Sequence, residues 1–164
     1  MTKNNVWEIF STIIERRKRE SPAIKEKHMH ACAAVHKNSI LAYGRNFHIV
    51  GEDKTMHSEV DCILQHNKIG RKKIDLYVAR TTWNNSRPCI NCIKSILKTV
   101  ETTNLKVGYV YYTLDEGHYA KYRLHELAND LSQHISSYNR HLKGIDDSSS
   151  DEDNLVDDKF KFSF

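Results

Sequence analysis

The chain has 164 residues, 39% of them hydrophobic, and contains no apolar run near the roughly 18 residues that a membrane-spanning helix needs, so a helical membrane protein is excluded and one domain with short tails is expected. The net charge of +4 conceals an asymmetry: from Gly144 onward seven acids face two lysines, a net of −5, which leaves the rest of the chain at +9. A body that basic fits either an anionic partner, such as a nucleotide or a nucleic acid, or an ordinary solvated cationic surface.

The first twenty residues place apolar side chains ahead of charges, the reverse of a secretory signal, so the expected setting is intracellular, cytoplasmic or nuclear. Cys32, Cys62, Cys89 and Cys92 are then expected as thiols or metal ligands rather than disulfides. Val6 to Arg19 reads as a helix, with Val6, Ile9, Phe10, Ile13 and Ile14 at helical spacing. Its end, Arg16 to Arg19, is either a solvated basic terminus or a nuclear-localisation or nucleic-acid patch. His30 to Val35 and Ser39 to Tyr43 read as strands joined by a turn at Lys37 and Asn38. Gly44 to Lys54 is a predicted loop, and Thr55 to about Asn67 a predicted helix with Gly70 past its end. A third strand spans Lys73 to Thr81, a polar loop Trp83 to Arg87, and a helix opened by Pro88 runs to about Val100. Lys106 to Leu114 is a fourth strand. Asp115-Glu116-Gly117 is a turn signal, after which His118 to Arg123 returns as a fifth strand antiparallel to the fourth. Leu124 to Leu142 is predicted helical.

These elements sum to an α/β fold, a mixed five-stranded sheet flanked by helices. Three segments are expected: an N-terminal helix and basic segment over 1–26, a central domain over 27–143, and an acidic tail over 144–164 whose composition predicts disorder. Within the tail, Ser148 to Ser150 sit among acids, which suits either an acid-directed kinase or a plain solubilising segment. Phe160, Phe162 and Phe164 suit a docking segment or a frayed strand.

The chemistry concentrates at two predicted helix starts. Cys89 and Cys92 are three residues apart and share a helix face, in a first turn whose exposed N–H groups favour thiolates. With His57 they form a two-sulfur, one-nitrogen set suited to zinc. Three protein ligands, rather than four, leave a position for water, the arrangement of a catalytic site. Cys62 lies five residues past His57, roughly 140° around the helix at 3.6 residues per turn, and is expected to point into the core. Glu59 stands two residues from His57, where a carboxylate can move protons to and from the reacting groups.

His57-x-Glu59 followed by Pro88-Cys89-x-x-Cys92 resembles the cytidine/deoxycytidylate deaminase family, over about Lys27 to Leu114. The resemblance implies the three-layer fold of that family, a Zn2+ cofactor on His57, Cys89 and Cys92, and Glu59 as the catalytic proton shuttle. It implies hydrolytic deamination of a cytosine nucleotide (dCMP-like) or nucleoside to its uracil form with release of ammonia. Gly44-Arg45-Asn46 is similar to the family's glycine-x-asparagine, which makes Asn46 a substrate-binding candidate at the sugar, or else a turn-bracing residue. Trp83 and Arg87 are further substrate candidates, the first by stacking on a base and the second by meeting a phosphate, with plain packing as the alternative for Trp83. Relatives self-associate, so a homo-oligomer is implied. RNA or single-stranded DNA is the partner under one alternative, a tRNA adenosine deaminase-like protein. Another alternative is a non-catalytic deaminase-fold zinc protein used for binding or assembly.

The sequence departs from the family in three places. Phe47 stands where deoxycytidylate deaminases usually have glycine, which counts against triphosphate control. The link Ala79 to Arg87 is longer than usual and is expected at the pocket mouth. The predicted hairpin at Asp115 to Gly117 resembles the free-cytidine branch, whereas the His-x-Glu motif resembles the deoxycytidylate and tRNA branch with its parallel fifth strand. Residue identities are firmer than strand boundaries, so the motif predicts a parallel fifth strand. Finally, His28, His30 and Cys32 alternate along a predicted strand, which permits a second, structural zinc, while Cys32 is most simply a core residue.

Overall fold

A computed structural model describes residues 3–20 and 28–130. The first helix, α1 (Lys3–Arg19), lays Val6, Ile9, Phe10, Ile13 and Ile14 against one face of the central sheet. Strand β1 (His30–His36) presents Ala31 and Ala33 to it, and these short side chains let the helix approach closely. β1 turns into β2 (Ser39–Arg45) through Lys37 and Asn38, with φ of 46° and 66°. Two left-handed residues in a two-residue loop match the twist of the flanking strands, as a type I′ turn does.

The segment predicted as a loop instead folds into a small ribbon, β3 (Phe47–His48) paired antiparallel with β4 (Thr55–Met56). The helix predicted from Thr55 therefore starts later, as α2 (Ser58–Ile63), with His57 as its extended N-cap. It also stops earlier. Gln65 leaves helical geometry, its side-chain amide donating to the Tyr43 and Asp61 carbonyls at 2.6 and 3.2 Å, and a separate turn follows as α3 (His66–Ile69).

β5 (Lys73–Arg80) connects through α4 (Ile90–Thr102) to β6 (Lys106–Thr113), and the two strands pair in parallel. Pro88 does not open α4. It lies one residue before the N-cap Cys89, whose backbone is extended at φ −71° and ψ 162°. A tight turn at Asp115–Gly117, with Glu116 and Gly117 at positive φ, leads to β7 (Tyr119–Arg123), antiparallel to β6. The fifth strand thus follows the hairpin signal and not the parallel arrangement that the His-x-Glu motif suggested. The sheet order is β2-β1-β5-β6-β7.

The last described helix, α5 (Leu124–Asn129), is the start of the predicted helix to Leu142; the remainder of that helix and the acidic tail lie outside the described residues. The second sheet face, with Cys32, Ala34, Leu76, Val78, Val110 and Tyr112, packs against α2 to α5. Among the described residues the result is three layers, α1 on one side of the sheet and four helices on the other. No helix among the described residues is long and apolar enough to cross a membrane.

The basic run at the end of α1 is partly absorbed into this packing. Arg17 is buried, donating from Nε to the His30 carbonyl at 3.2 Å and from Nη2 to the Asn46 carbonyl at 3.3 Å, with Glu20 at 3.6 Å. The Arg16 guanidinium lies 3.8 Å over the Tyr43 ring.

Candidate metal centre

Two helix starts on the four-helix side of the sheet bring three donors together. His57 caps α2, Cys89 caps α4, and Cys92 is the third residue of α4. Their donor atoms all lie within 4.8 Å of one another. His57 Nδ1 is 3.2 Å from Cys92 Sγ and 3.6 Å from Cys89 Sγ, and the two sulfurs are 3.5 Å apart. Zinc bonded tetrahedrally at about 2.3 Å to sulfur and about 2.1 Å to nitrogen sets its donors about 3.8 Å (sulfur to sulfur) and about 3.6 Å (sulfur to nitrogen) apart. The observed edges fall within a few tenths of an ångström of those values, so the donor set fits the metal in both chemistry and size. Cys62 is outside the group, fully buried with its Sγ 3.8 Å from the Ala42 carbonyl oxygen.

The site is electrostatically prepared. Hydrogen bonding to Cys89 pushes the His57 imidazole up to about 9. Hydrogen bonding from Cys92, then from His57, holds the Cys89 thiol well below its ordinary range, while Cys92 is raised by its neighbour Cys89 and by burial. Glu59 is 4% exposed, and burial raises its carboxyl, against the lowering influence of His57. The Ser58 hydroxyl donates to Glu59 Oε2 at 2.9 Å, which fixes one carboxylate oxygen. The position of Ser58 next to Glu59 is the signal that sequence reasoning passed over.

The zinc-binding region of cytidine and deoxycytidylate deaminases matches residues 7–109, more than half of the chain. The chain belongs to this family. Among solved structures it is similar to the cytidine deaminase of Burkholderia pseudomallei, at 18% identity and a TM-score of 0.54 over 79% of this chain and 98% of that one. It is also similar to the cytidine deaminase of Mycobacterium tuberculosis, at 14% identity and 0.51 over 76% and 94%. The dCMP deaminase of the cyanophage S-TIM5 gives 19% identity and 0.47 over 68% and 84%. No curated protein matches the sequence. The mixed five-stranded sheet with flanking helices is thus the cytidine-deaminase-like fold.

Within this deaminase-family frame the remaining candidates fall into place differently. Trp83 is not brought to the metal triad. Its ring lies on the opposite, α1 side of the sheet, 5.5 Å from Trp7 and 6.3 Å from Phe10. Arg87 pairs through Nη2 with Asp130 Oδ2 at 2.6 Å, joining the residue before Pro88 to the end of α5. Asn46 uses Oδ1 to accept from the His30 N–H at 2.8 Å and Nδ2 to donate to the His28 carbonyl at 2.6 Å. An amide side chain has four hydrogen-bonding positions, and these two contacts use one donor and one acceptor of Asn46.

The long link from β5 is pinned rather than open. Buried Ser86 donates to the Val78 carbonyl at 2.8 Å and accepts from the Thr113 N–H at 3.0 Å, bridging the carboxyl ends of β5 and β6 just ahead of Cys89. His28, His30 and Cys32 do not gather as a second metal group among the described residues. The His30 Nε2 meets Arg80 Nε at 3.2 Å, and Cys32 is fully buried in the core.

Proposed function

We propose that this chain is a zinc-dependent hydrolytic deaminase that converts a cytosine nucleoside or nucleotide to its uracil form and releases ammonia. The observation that carries the reading is the convergence of His57 Nδ1, Cys89 Sγ and Cys92 Sγ at the edges of a tetrahedron, with a buried carboxylate two residues from the histidine. Zinc held there supplies Lewis acidity that brings the pKa of a water down to about 7. Glu59 takes a proton from the attacking water and gives it to the ring nitrogen beside the amino-bearing carbon, then moves the water's second proton, from the hydroxyl now on that carbon, to the departing amine as the carbon–nitrogen bond breaks. Water is consumed and ammonia leaves, so atoms and charge balance with no further reactant. Ser58 holds the carboxylate for these transfers, and Asn46 hydrogen-bonds the sugar.

A catalytic rather than a purely structural zinc is favoured because a metal staple has no need of a buried acid at position 59. The antiparallel β7 is the arrangement that the resemblance gives the free-cytidine branch, and it counts against the deoxycytidylate and tRNA groups alike.

The test is direct. The zinc-loaded protein is expected to release ammonia from cytidine, deoxycytidine or dCMP. Glu59→Gln should keep one zinc per chain and lose at least about a hundredfold in kcat, the range typical of removing a positioned acid–base group. Undiminished turnover by Glu59→Gln would refute the mechanism.

A further inference from the structure

Arg17 is the buried exception in the basic end of α1. Its side chain is 3% exposed, against 57% for Arg16 and 42% for Lys18 beside it. Taking a guanidinium out of water is costly unless its charge and its N–H donors are matched. The charge is matched loosely. Glu20 Oε2 stands 3.6 Å from Arg17 Nη1, outside hydrogen-bond range. The same carboxylate also faces Arg45 at 3.6 Å and Arg16 at 3.8 Å, and accepts from the Tyr43 hydroxyl at 3.3 Å.

What the burial achieves is a grip on backbone. Nε donates to the His30 carbonyl at 3.2 Å and Nη2 to the Asn46 carbonyl at 3.3 Å, so one planar fork joins the start of β1 to the residue after β2. The Asn46 side chain is fixed at the same junction, accepting from the His30 N–H at 2.8 Å and donating to the His28 carbonyl at 2.6 Å. The preceding residue ties this corner to the metal side. The Arg45 N–H donates to Asp61 Oδ2 at 2.9 Å, and Asp61 lies two residues past Glu59 on α2. Asn46 is therefore located from α1 through Arg17 and from α2 through Asp61.

We infer that Arg17 is a positioning residue for the substrate: from the α1 layer it sets the Asn46 amide at the place where that amide meets the sugar. The inference rests on the deaminase reading above, including the sugar contact given there to Asn46. It adds a residue that acts through Asn46 and not on the substrate itself. The effect passes through sugar binding, so it falls on KM, while kcat, set at the metal centre, is retained.

The experiment compares the full-length, zinc-loaded protein with Arg17→Met, Arg17→Lys, Asn46→Ala, the double variant Arg17→Met/Asn46→Ala and Lys18→Ala, with zinc content and thermal melting measured on each. The quantity read is kcat/KM for cytidine divided by kcat/KM for dideoxycytidine, which lacks the hydroxyls of the sugar ring. Arg17→Met should lower this ratio by about threefold to tenfold, the worth of one hydrogen bond, and should do so through KM. Arg17→Lys keeps the charge but loses the fork, so it should restore little. Lys18→Ala, which removes an exposed cation one residue away, should leave the ratio in place. In the double variant the ratio should fall no further than in Asn46→Ala alone, because both changes remove the same contact. A wild-type ratio near one, an unchanged ratio in Arg17→Met, or full multiplication of the two effects in the double variant overturns the inference while leaving the deaminase reading intact. Should Arg17→Met not fold, Glu20→Gln decides: its side chain is 24% exposed, so the change loosens the same guanidinium without opening a buried void. A fall of about twofold or more there supports the inference, in line with one weakened hydrogen bond, and an unchanged ratio overturns it. If the wild type turns over neither nucleoside, the deaminase reading fails, and calorimetric binding of uridine and dideoxyuridine takes the place of the rates. A preference for uridine that shrinks in Arg17→Met then supports the positioning role, and a preference that persists, or none at all, ends it.

Discussion

Gly44→Ala tests how the sheet positions the metal centre. Gly44 is the buried sixth residue of β2, and α2 crosses directly over it. A methyl group built there would collide with the Ser58 carbonyl oxygen and the Cys62 amide nitrogen, and would stand 2.8 Å from Cys62 Cα. Carbon atoms pack best at about 3.5–4.0 Å, so α2 and β2 must separate by about 1 Å. The obstructing atoms are backbone and have no rotamer through which to escape. Overpacking of this kind costs about 1–3 kcal/mol, and the backbone contact argues for the upper end. For a domain of this size about 3 kcal/mol lowers Tm by roughly 6–12 °C. α2 carries Ser58 and Glu59 and is capped by His57, so the displacement passes to the triad and to the Glu59 carboxyl. A shift of about 1 Å at reacting groups is enough for a loss of about a hundredfold. Thermal melting, zinc per chain and ammonia release measure the three consequences. Gly51→Ala is the comparison: Gly51 has φ 78° with no atom within 4 Å of an added methyl, so it should bring only the left-handed backbone penalty of about 1–2 kcal/mol and leave the centre in place. A Gly44→Ala protein that melts like the wild type and keeps zinc and turnover would refute the proposed close approach.

Ser86→Ala should destabilise the protein by about 1–3 kcal/mol, because the Val78 carbonyl and the Thr113 N–H lose a buried partner; chemical denaturation measures it, and an unchanged midpoint would contradict the bridging role. Zinc affinity should rise with pH through about 9, where His57 titrates, and go on rising above it as Cys92 ionises. The His57 imidazole, raised to about 9 by Cys89, is protonated at neutral pH and must lose that proton to bind metal, as must the raised Cys92 thiol. Chelator competition at several pH values, with proton release followed by an indicator dye, checks the sign, and a pH-independent affinity would contradict it.

The gathering of the candidate site's three donors is legible in the sequence because its signals are local. The three-residue spacing of Cys89 and Cys92, the offset of His57 from Glu59 and the turn at Asp115 to Gly117 each need only a few neighbouring residues to be read. The strands of the central sheet were legible for the same reason, since alternation along Lys73–Arg80 is intrinsic to that segment. What escaped reading depends on distant partners. The β3–β4 ribbon has strands of two residues, too short for any period, and exists through the pairing of Phe47 with Met56. Val60, Ile63 and Leu64 set a helical pattern that nothing in the local sequence stops at Gln65, where the side chain turns back to Tyr43. Arg17 reads as one more solvated cation, yet it is buried by carbonyls 13 and 29 residues away. Trp83 and Arg87 suggested ligand contacts by residue type alone. Their partners, Trp7 and Asp130, lie at opposite ends of the described chain.

The same distinction between local chemistry and distant packing predicts what metal removal should do. In a zinc finger the ligands are the core, and chelation unfolds the chain. Here the triad sits at the edge of a fold whose two cores are apolar. One joins α1 to the sheet through Phe10, Ile13, Ala33 and Tyr77; the other joins the sheet to α2 to α5 through Leu76, Ile93, Ile96 and Leu127. None of these side chains depends on the metal for its burial. Both helix starts also have anchors of their own, Gly44 beneath α2 and the Ser86 bridge ahead of α4. Zinc therefore adds stability by mass action, about 4 kcal/mol at a thousandfold excess over its Kd, without creating the fold. Chelation should lower Tm by roughly 8–16 °C at that ratio while leaving far-ultraviolet circular dichroism and a cooperative melt intact. Loss of the secondary-structure signal at 25 °C on chelation would mean that the metal organises the sheet and its helices, and that the packing of the two cores is not sufficient to hold them.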